Sequence, residues 1–261
     1  MISAFTQSDI DNNIYIKQPI GFIDLNKPDF VFKLNKALYG LKQSARLWYN
    51  TLKEILVTKL GFIVLQTENS IFINKSLNIY ISLYVDDLAI IGPNKDTISS
   101  FIKDLKQYFN IKELGLVKDY LGVEIDYNIV DGTLSLLQTK YIAKVLERFN
   151  MDNSNPINTP IDYNLKLEPN KELASKFDIN WFQQVIGSLL YLTFATRPDL
   201  TYSVIKLARF ASNPSLIHIK AAKRILRYLN GTRTLGISFN TLEGSKYISG
   251  YCDADYAGDL V

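Results

Sequence analysis

The chain has 261 residues, 47% of them apolar and 21% charged, with 29 Lys and Arg against 26 Asp and Glu for a net charge of +3. That balance allows a buried core in one large domain or two smaller ones, and it excludes a disordered or collagen-like polymer. The single cysteine, Cys252, excludes a fold stapled by intrachain disulfides, and with only one histidine beside it any metal must be held by carboxylates, which points to magnesium rather than zinc. No run of 18 apolar residues and no basic-then-apolar leader occurs, so neither a bilayer span nor a signal peptide is expected. A cytoplasmic or nuclear location, not secretion, follows as the expectation.

In chain order, Met1 to Gln18 is short and mixed and runs into a turn at Pro19-Ile20-Gly21. The first clear helix spans Ser44 to Leu60, with Ala45, Trp48, Leu52, Ile55 and Leu56 at three- and four-residue spacing and Gly61 placed to end it. Trp48 is read as a core residue. Lys33, Lys36, Lys42 and Arg46 cluster at the start of this helix, where free amides also favour an anion. Strands are expected at Ser70 to Ile73, Ile79 to Tyr84 and Leu88 to Ile91, followed by a helix capped by Thr97 or Ser99 and running to Phe109. Another strand is expected from Tyr120 to Tyr127, then Leu134 to Leu137, then a helix from Tyr141 to Phe149.

Residues 152 to 180 are rich in Asn, Pro, Asp and Lys and read as a linker or loose excursion. Helical periodicity returns over Trp181 to Thr193, Leu200 to Ala211 and Leu216 to Leu229, and Thr234 to Phe239 with Tyr247 to Cys252 reads as a closing pair of strands. Charge is concentrated in two places. Residues 197 to 233 carry eight Lys or Arg and one Asp, and residues 33 to 59 carry six and one Glu. Two basic patches on a nearly neutral chain suggest surfaces for an anionic partner. The sharper of them is the helix over 216 to 229, where Lys220, Lys223, Arg224 and Arg227 share one face opposite an apolar stripe, a pattern suited to a phosphate backbone and also to an ordinary solvated face. Arg197 and Asp199, flanking Pro198, read as a helix-capping pair.

The main chemical anomaly is the pair Asp86-Asp87, set between two apolar strands. A turn would expose both acids, and a divalent cation would offset their repulsion. Taken alone the pair fits an ordinary hairpin turn equally well. Its context is more specific. Tyr84-Val85-Asp86-Asp87-Leu88 resembles the signature of reverse transcriptases, and a series in order resembles the Pol polyprotein of copia-like long-terminal-repeat retrotransposons: Gln18 to Phe22, Leu34 to Tyr49 (LNKALYGLKQSARLWY), Tyr120 to Ile125 (YLGVEI), Tyr141 to Met151, Ile186 to Asp199, Ala221 to Thr232 and Tyr251 to Asp259 (YCDADYAGD). The Asn-, Ile- and Lys-rich composition suits an AT-rich genome such as that of a budding-yeast element.

The resemblance implies an α+β fold: a right-hand polymerase palm with an antiparallel sheet and packed helices over residues 1–150, a linker or excursion over 151–180, a mostly helical thumb or connection over 181–245 and the start of a ribonuclease H domain over 246–261. It implies an RNA-directed DNA polymerase with Mg2+ as cofactor, a template-primer and deoxynucleoside triphosphates as partners, and no membrane. Asp86 and Asp87 would be catalytic and metal-binding, and Asp253 would match the first metal ligand of ribonuclease H. Tyr39, Gly40, Lys42, Gln43 and Tyr84 would lie beside template, primer or nucleotide, and Lys220, Lys223, Arg224 and Arg227 along the backbone. The family pattern Asp-x-x-x-Ala-Phe places a further aspartate one position before Met1, and the fingers would precede it. Asp9 and Asp11 would need a register shift of about nine residues to replace that aspartate. A catalytically silent fragment is therefore expected, with a non-catalytic nucleic-acid-binding fragment or a product that does not fold as the alternatives.

Overall fold

The computed structural model describes residues 3–128 and 130–240. The chain divides between Leu116 and Val117 into two compact units, each with its own apolar core. That division lies upstream of the 151–180 stretch expected to be a linker. The mixed make-up of antiparallel sheets and packed helices is the one expected.

The first unit opens with a 3-10 turn at Ala4–Gln7 and a hairpin of β1 (Tyr15–Lys17) and β2 (Val31–Lys33). These two strands are three residues long and lie almost wholly in solvent, so hydrophobic alternation gives no signal for them. Helix α1 (Ser44–Thr58) follows the expected period, burying Trp48, Leu52 and Leu56 at every fourth residue. Past its end Gly61, at φ +70°, turns the chain so that the Phe62 N–H reaches the Leu56 carbonyl at 2.9 Å. The strands β3 (Ile63–Leu65), β4 (Glu68–Asn74), β5 (Ile79–Tyr84) and β6 (Asp87–Ile91) then form an antiparallel sheet in that order. Alternate residues Ile79, Ile81 and Leu83 of β5, with Phe72 of β4, pack with Leu52 and Leu56 and with Phe101 and Leu105 of α2 (Lys95–Leu105). The cap of α2 is Asn94, not Thr97 or Ser99: its backbone is extended after Gly92-Pro93, and its side chain accepts the Thr97 N–H at 2.9 Å.

In the second unit β7 (Asp119–Tyr120), β8 (Val123–Asn128), β9 (Thr133–Leu137) and β10 (Ile237–Asn240) form an antiparallel sheet of order β10-β9-β8-β7. The single strand expected over 120–127 is instead a hairpin turned at Leu121-Gly122, both at positive φ. A leucine in the left-handed region disguises a turn that Asn-Gly would announce. β10 pairs with β9, while the partner expected at 247–252 lies outside the described residues.

The helices are α3 (Thr139–Arg148), α4 (Lys176–Ala195), α5 (Thr201–Ala208) and α6 (Leu216–Gly231). They share a core of Leu146, Phe182, Leu189, Val204, Ile225 and their neighbours. α4 begins at Lys176, ahead of the expected Trp181, because Ser175 caps it by accepting the Asp178 N–H at 3.1 Å. The 152–174 stretch is irregular but attached. Leu165 and Leu167 pack on the core, and Asn213 donates to the carbonyls of Asn170 and Glu172 at 3.2 and 3.0 Å. Pro156 approaches α6 so closely that a Cβ on Gly231 would lie 2.9 Å from its own Cβ. His218 is fully buried, stacks on Phe210 with centroids 4.0 Å apart and accepts the Ser215 N–H at Nδ1; burial pushes its pKa down and keeps it neutral.

A buried ion pair holds the helices' connections. Arg197 has no exposed side-chain surface, and its Nε and Nη2 donate to the Asp199 carboxylate at 2.9 and 2.7 Å. Nη1 and Nη2 also donate to the carbonyl and hydroxyl oxygens of Thr232, both at 2.9 Å, and the guanidinium lies 5.5 Å from the centre of the Tyr228 ring. The Tyr228 hydroxyl donates to Asp199 at 3.0 Å. Burial pushes the Asp199 carboxyl up, but the hydrogen bonds and charge of Arg197 outweigh it and leave it below the usual carboxylate range. The expected capping pair is therefore a network joining two helix ends. Arg197→Met leaves the Thr232 carbonyl without this donor and Asp199 with the Tyr228 hydroxyl but no counter-charge, and is expected to cost about 3 kcal/mol, the low end for a broken buried pair because Asp199 is partly exposed. A depressed folded pKa contributes stability above the unfolded value and loses it as pH falls through the folded one. Urea titrations should therefore show a wide gap between wild type and Arg197→Met at neutral pH that narrows below about pH 4.

Candidate functional site

In the first unit the hairpin β5–β6 turns through Val85 and Asp86, closing on the pair Tyr84–Asp87. Asp86 and Asp87 thus sit at the tip of a sheet whose other end is anchored by buried isoleucines. Val85 takes φ +55°, a left-handed conformation that is costly for a β-branched residue. Two side chains from outside the hairpin meet this turn. The Tyr39 hydroxyl donates to Asp86 Oδ2 at 3.0 Å, and the Trp48 indole N–H donates to the Val85 carbonyl at 2.7 Å. Phe5 packs against the Tyr39 ring with centroids 4.3 Å apart. Burial first, then the Asp86 carboxylate, push the Tyr39 phenol above its ordinary pKa, so it remains a donor.

Of the residues expected here, Tyr39 reaches the acids directly. Gly40 follows it at φ +94° with nothing within 4 Å of where a Cβ would sit, an open backbone position. Lys42 is exposed and Gln43 stands at the cap position of α1, and Tyr84 is exposed on β5 beside the turn. Asp253 lies outside the described residues. The bonds from Phe5 and Trp48 to this site have no local sequence signal, since each residue reads as an ordinary apolar core position.

The basic cluster at the start of α1 is partly answered within the unit. Lys36 pairs with Asp9 at 2.6 Å and Arg46 with Asp11 at 2.5 Å. Those pairs commit Asp9 and Asp11 to cations of the same unit. Among the described residues no group of three His, Cys, Asp or Glu converges on a metal position. The donor set at the turn, carboxylates without imidazole or thiolate, fits a magnesium ion, but two adjacent acids are too few to hold a pair of such ions.

In the second unit the basic stripe of α6 splits. Lys220 is exposed, and Lys223 is exposed with its ammonium 5.7 Å from the centre of the Trp181 ring. The arginines turn to their own chain: Arg224 donates to the Thr159 hydroxyl at 2.8 Å and Arg227 to the Asn155 carbonyl at 2.7 Å. Beside them Asn230 donates to the Ser154 carbonyl at 2.6 Å and Arg233 to that of Asp152 at 3.1 Å. The stripe expected to face a phosphate backbone thus spends half of its charges fastening 152–159 across α6.

Residues 1–163 match the family model described as reverse transcriptase (RNA-dependent DNA polymerase). The chain is 39% identical over 265 aligned residues to the retrovirus-related Pol polyprotein from transposon RE1 of Arabidopsis thaliana, covering 98% of this chain and 17% of that protein. It is 37% identical to the corresponding polyprotein from transposon TNT 1-94 of Nicotiana tabacum, covering 99% of this chain and 20% of the relative. A transposon Ty5-1 protein of Saccharomyces cerevisiae is 33% identical, with 97% of this chain and 82% of the relative aligned. The chain therefore spans a fifth or less of the plant polyproteins it matches. No solved structure gives a significant match, and among the described residues no helix is long and apolar enough to cross a membrane.

If Arg224 and Arg227 serve chiefly to fasten 152–159, Arg224→Ala with Arg227→Ala should open that segment to limited proteolysis while the helical circular dichroism stays near that of wild type. Unchanged cleavage would mark both arginines as free for a ligand.

Proposed function

The chain belongs to the reverse transcriptase family of retrotransposon Pol polyproteins, and on that premise we propose that the turn at Asp86-Asp87 is the carboxylate edge of a nucleotide-adding site in an RNA-directed DNA polymerase. The observation that carries this reading is the Tyr39–Asp86 hydrogen bond. It joins two segments, 34–49 and 84–88, that resemble the family separately in sequence and meet at one point in space. In this reading the first unit is the palm and the second contributes a thumb or connection surface.

Each residue near the turn has a physical role in that scheme. Asp86 and Asp87 supply hard oxygen ligands for Mg2+, which when bound neutralises triphosphate charge and lowers the pKa of a primer hydroxyl. Tyr39 fixes one oxygen of Asp86 by donating to Oδ2. Gly40 lets a ribose or base approach the backbone without meeting a side chain. Lys42 and Gln43 bring a positive charge and an amide to the nucleotide side, and Tyr84 offers an exposed ring beside the primer end. Lys220 and Lys223 are the backbone contacts of the second unit, with Arg224 and Arg227 acting there only if 152–159 lets go.

We further propose that the 261-residue chain does not polymerise by itself. The reaction needs a third carboxylate facing the pair, and Asp9 and Asp11, the acids nearest to Ala4-Phe5, instead pair with Lys36 and Arg46. Removing half of a charge clamp removes interactions made chiefly in the transition state.

Two measurements test the reading. With a primer–template, deoxynucleoside triphosphates and Mg2+, no incorporation is expected, and incorporation abolished by Asp86→Ala would overturn the proposed silence. Primer–template binding should weaken with salt, and Lys220→Ala with Lys223→Ala should lower the slope of log affinity against log salt by about two. Salt-independent or absent binding would remove nucleic acid as the partner of the second unit.

A further inference from the structure

The acidic turn is not held by its own hairpin. A two-residue connection between Tyr84 and Asp87 needs left-handed backbone, and this one places Val85, a β-branched residue, at φ +55° where glycine or asparagine is the ordinary choice. The compensation comes from 37 positions earlier in the chain, where the Trp48 indole N–H meets the Val85 carbonyl at 2.7 Å. That donor cannot swing away. Trp48 is 1% exposed and its ring stands edge-on to buried Phe109 at 80°, with centroids 5.3 Å apart.

We propose that Trp48 is a positioning residue for Asp86, acting through the peptide plane that joins Val85 to Asp86. The carbonyl it binds belongs to that plane, and a planar peptide carries its constraint to the Asp86 N–H and Cα. Trp48 thereby sets where the Asp86 side chain departs, and Tyr39 sets where its carboxylate ends. Phenylalanine would keep an aromatic ring at this buried position but offer no donor to the turn. The inference rests on the proposed role of the acids for its functional meaning, while the clamp itself is a property of the turn.

The test is residue-by-residue amide exchange by NMR on the full chain. Trp48→Phe removes the N–H together with part of the ring volume, and the loss of volume should be felt by the packing partners in α1 and β4 as well as by the turn. Exchange over 84–88 is expected to accelerate about tenfold, the scale of one hydrogen bond lost at a partly buried carbonyl, a larger change than in β4 or the interior of α1. Because the clamp offsets a left-handed valine, Val85→Gly should rescue: Trp48→Phe in a Val85→Gly background should change exchange over 84–88 by less than about threefold. A uniform acceleration across the unit, or full additivity of the two substitutions, would reduce Trp48 to a core filler and overturn the proposal. A manganese titration separates this from the reading of the acids. Paramagnetic broadening at Asp86 and Asp87 should need several-fold more Mn2+ in Trp48→Phe than in wild type, and equal sensitivity would overturn the positioning role. Broadening in neither protein would remove the metal reading while exchange still decides the clamp.

Discussion

A guanidinium with no exposed surface persists only where its charge and its N–H groups are met inside the protein, and the helical unit is arranged so that Arg197 meets that demand. The 3-10 turn Pro198–Leu200 that leads into α5 supplies Asp199, while the end of α6 supplies Tyr228 and the residue after it, Thr232. Moving either helix end would strand a buried charge. The same principle, a side-chain donor aimed at an irregular piece of backbone, recurs through the molecule. Arg227, Asn230 and Arg233 each donate to a carbonyl of 152–155, and Trp48 does so for Val85. Regular elements satisfy their own backbone groups; the segments between them are fixed by side chains reaching from those elements.

That rule shapes the acidic turn. The apolar residues of β5 bury the base of the hairpin, while at the tip Asp87 is exposed and Asp86 half-buried, so the desolvation the acids bear is limited. Rigidity at the tip then has to come from elsewhere, and Tyr39 and Trp48 provide it from either side of the start of α1. Membership in the reverse transcriptase family gives this arrangement its chemical context, and Asp9 and Asp11 make surface ion pairs with Lys36 and Arg46.

Much of this was legible in the sequence. α1, β4 to β6 and the three later helices follow from apolar spacing, because each buries one face in a core of its own unit. The misses have physical causes. Leu121 occupies a left-handed position without the glycine or asparagine that signals it, which hid the β7–β8 hairpin. Residues 152–174 have the composition of a linker, yet Leu165, Leu167 and a few donors on α6 suffice to bind them down. Arg224 and Arg227 share a face with Lys220 and Lys223 in any helical projection, and nothing local states that an arginine's target is its own chain. A turn beside Asp86 was readable, but it runs through Val85 and Asp86 and puts Asp87 on β6, and the hydrogen bonds that hold it span 47 and 37 positions and leave no short-range trace.

The path of 152–174 across α6 also bears on how the molecule is made. Gln7 and Asn110 seal the first unit, whose own contacts lie upstream of Val117 and need nothing synthesised later. The second unit must wait, since β9 pairs with β10 near residue 240 and Asp152 waits for Arg233. Domains emerging in order fold in order, and long-range closures are the slow ones. During synthesis, then, the first unit can close on its own contacts while the helical one keeps apolar faces open until β10 and Arg233 emerge.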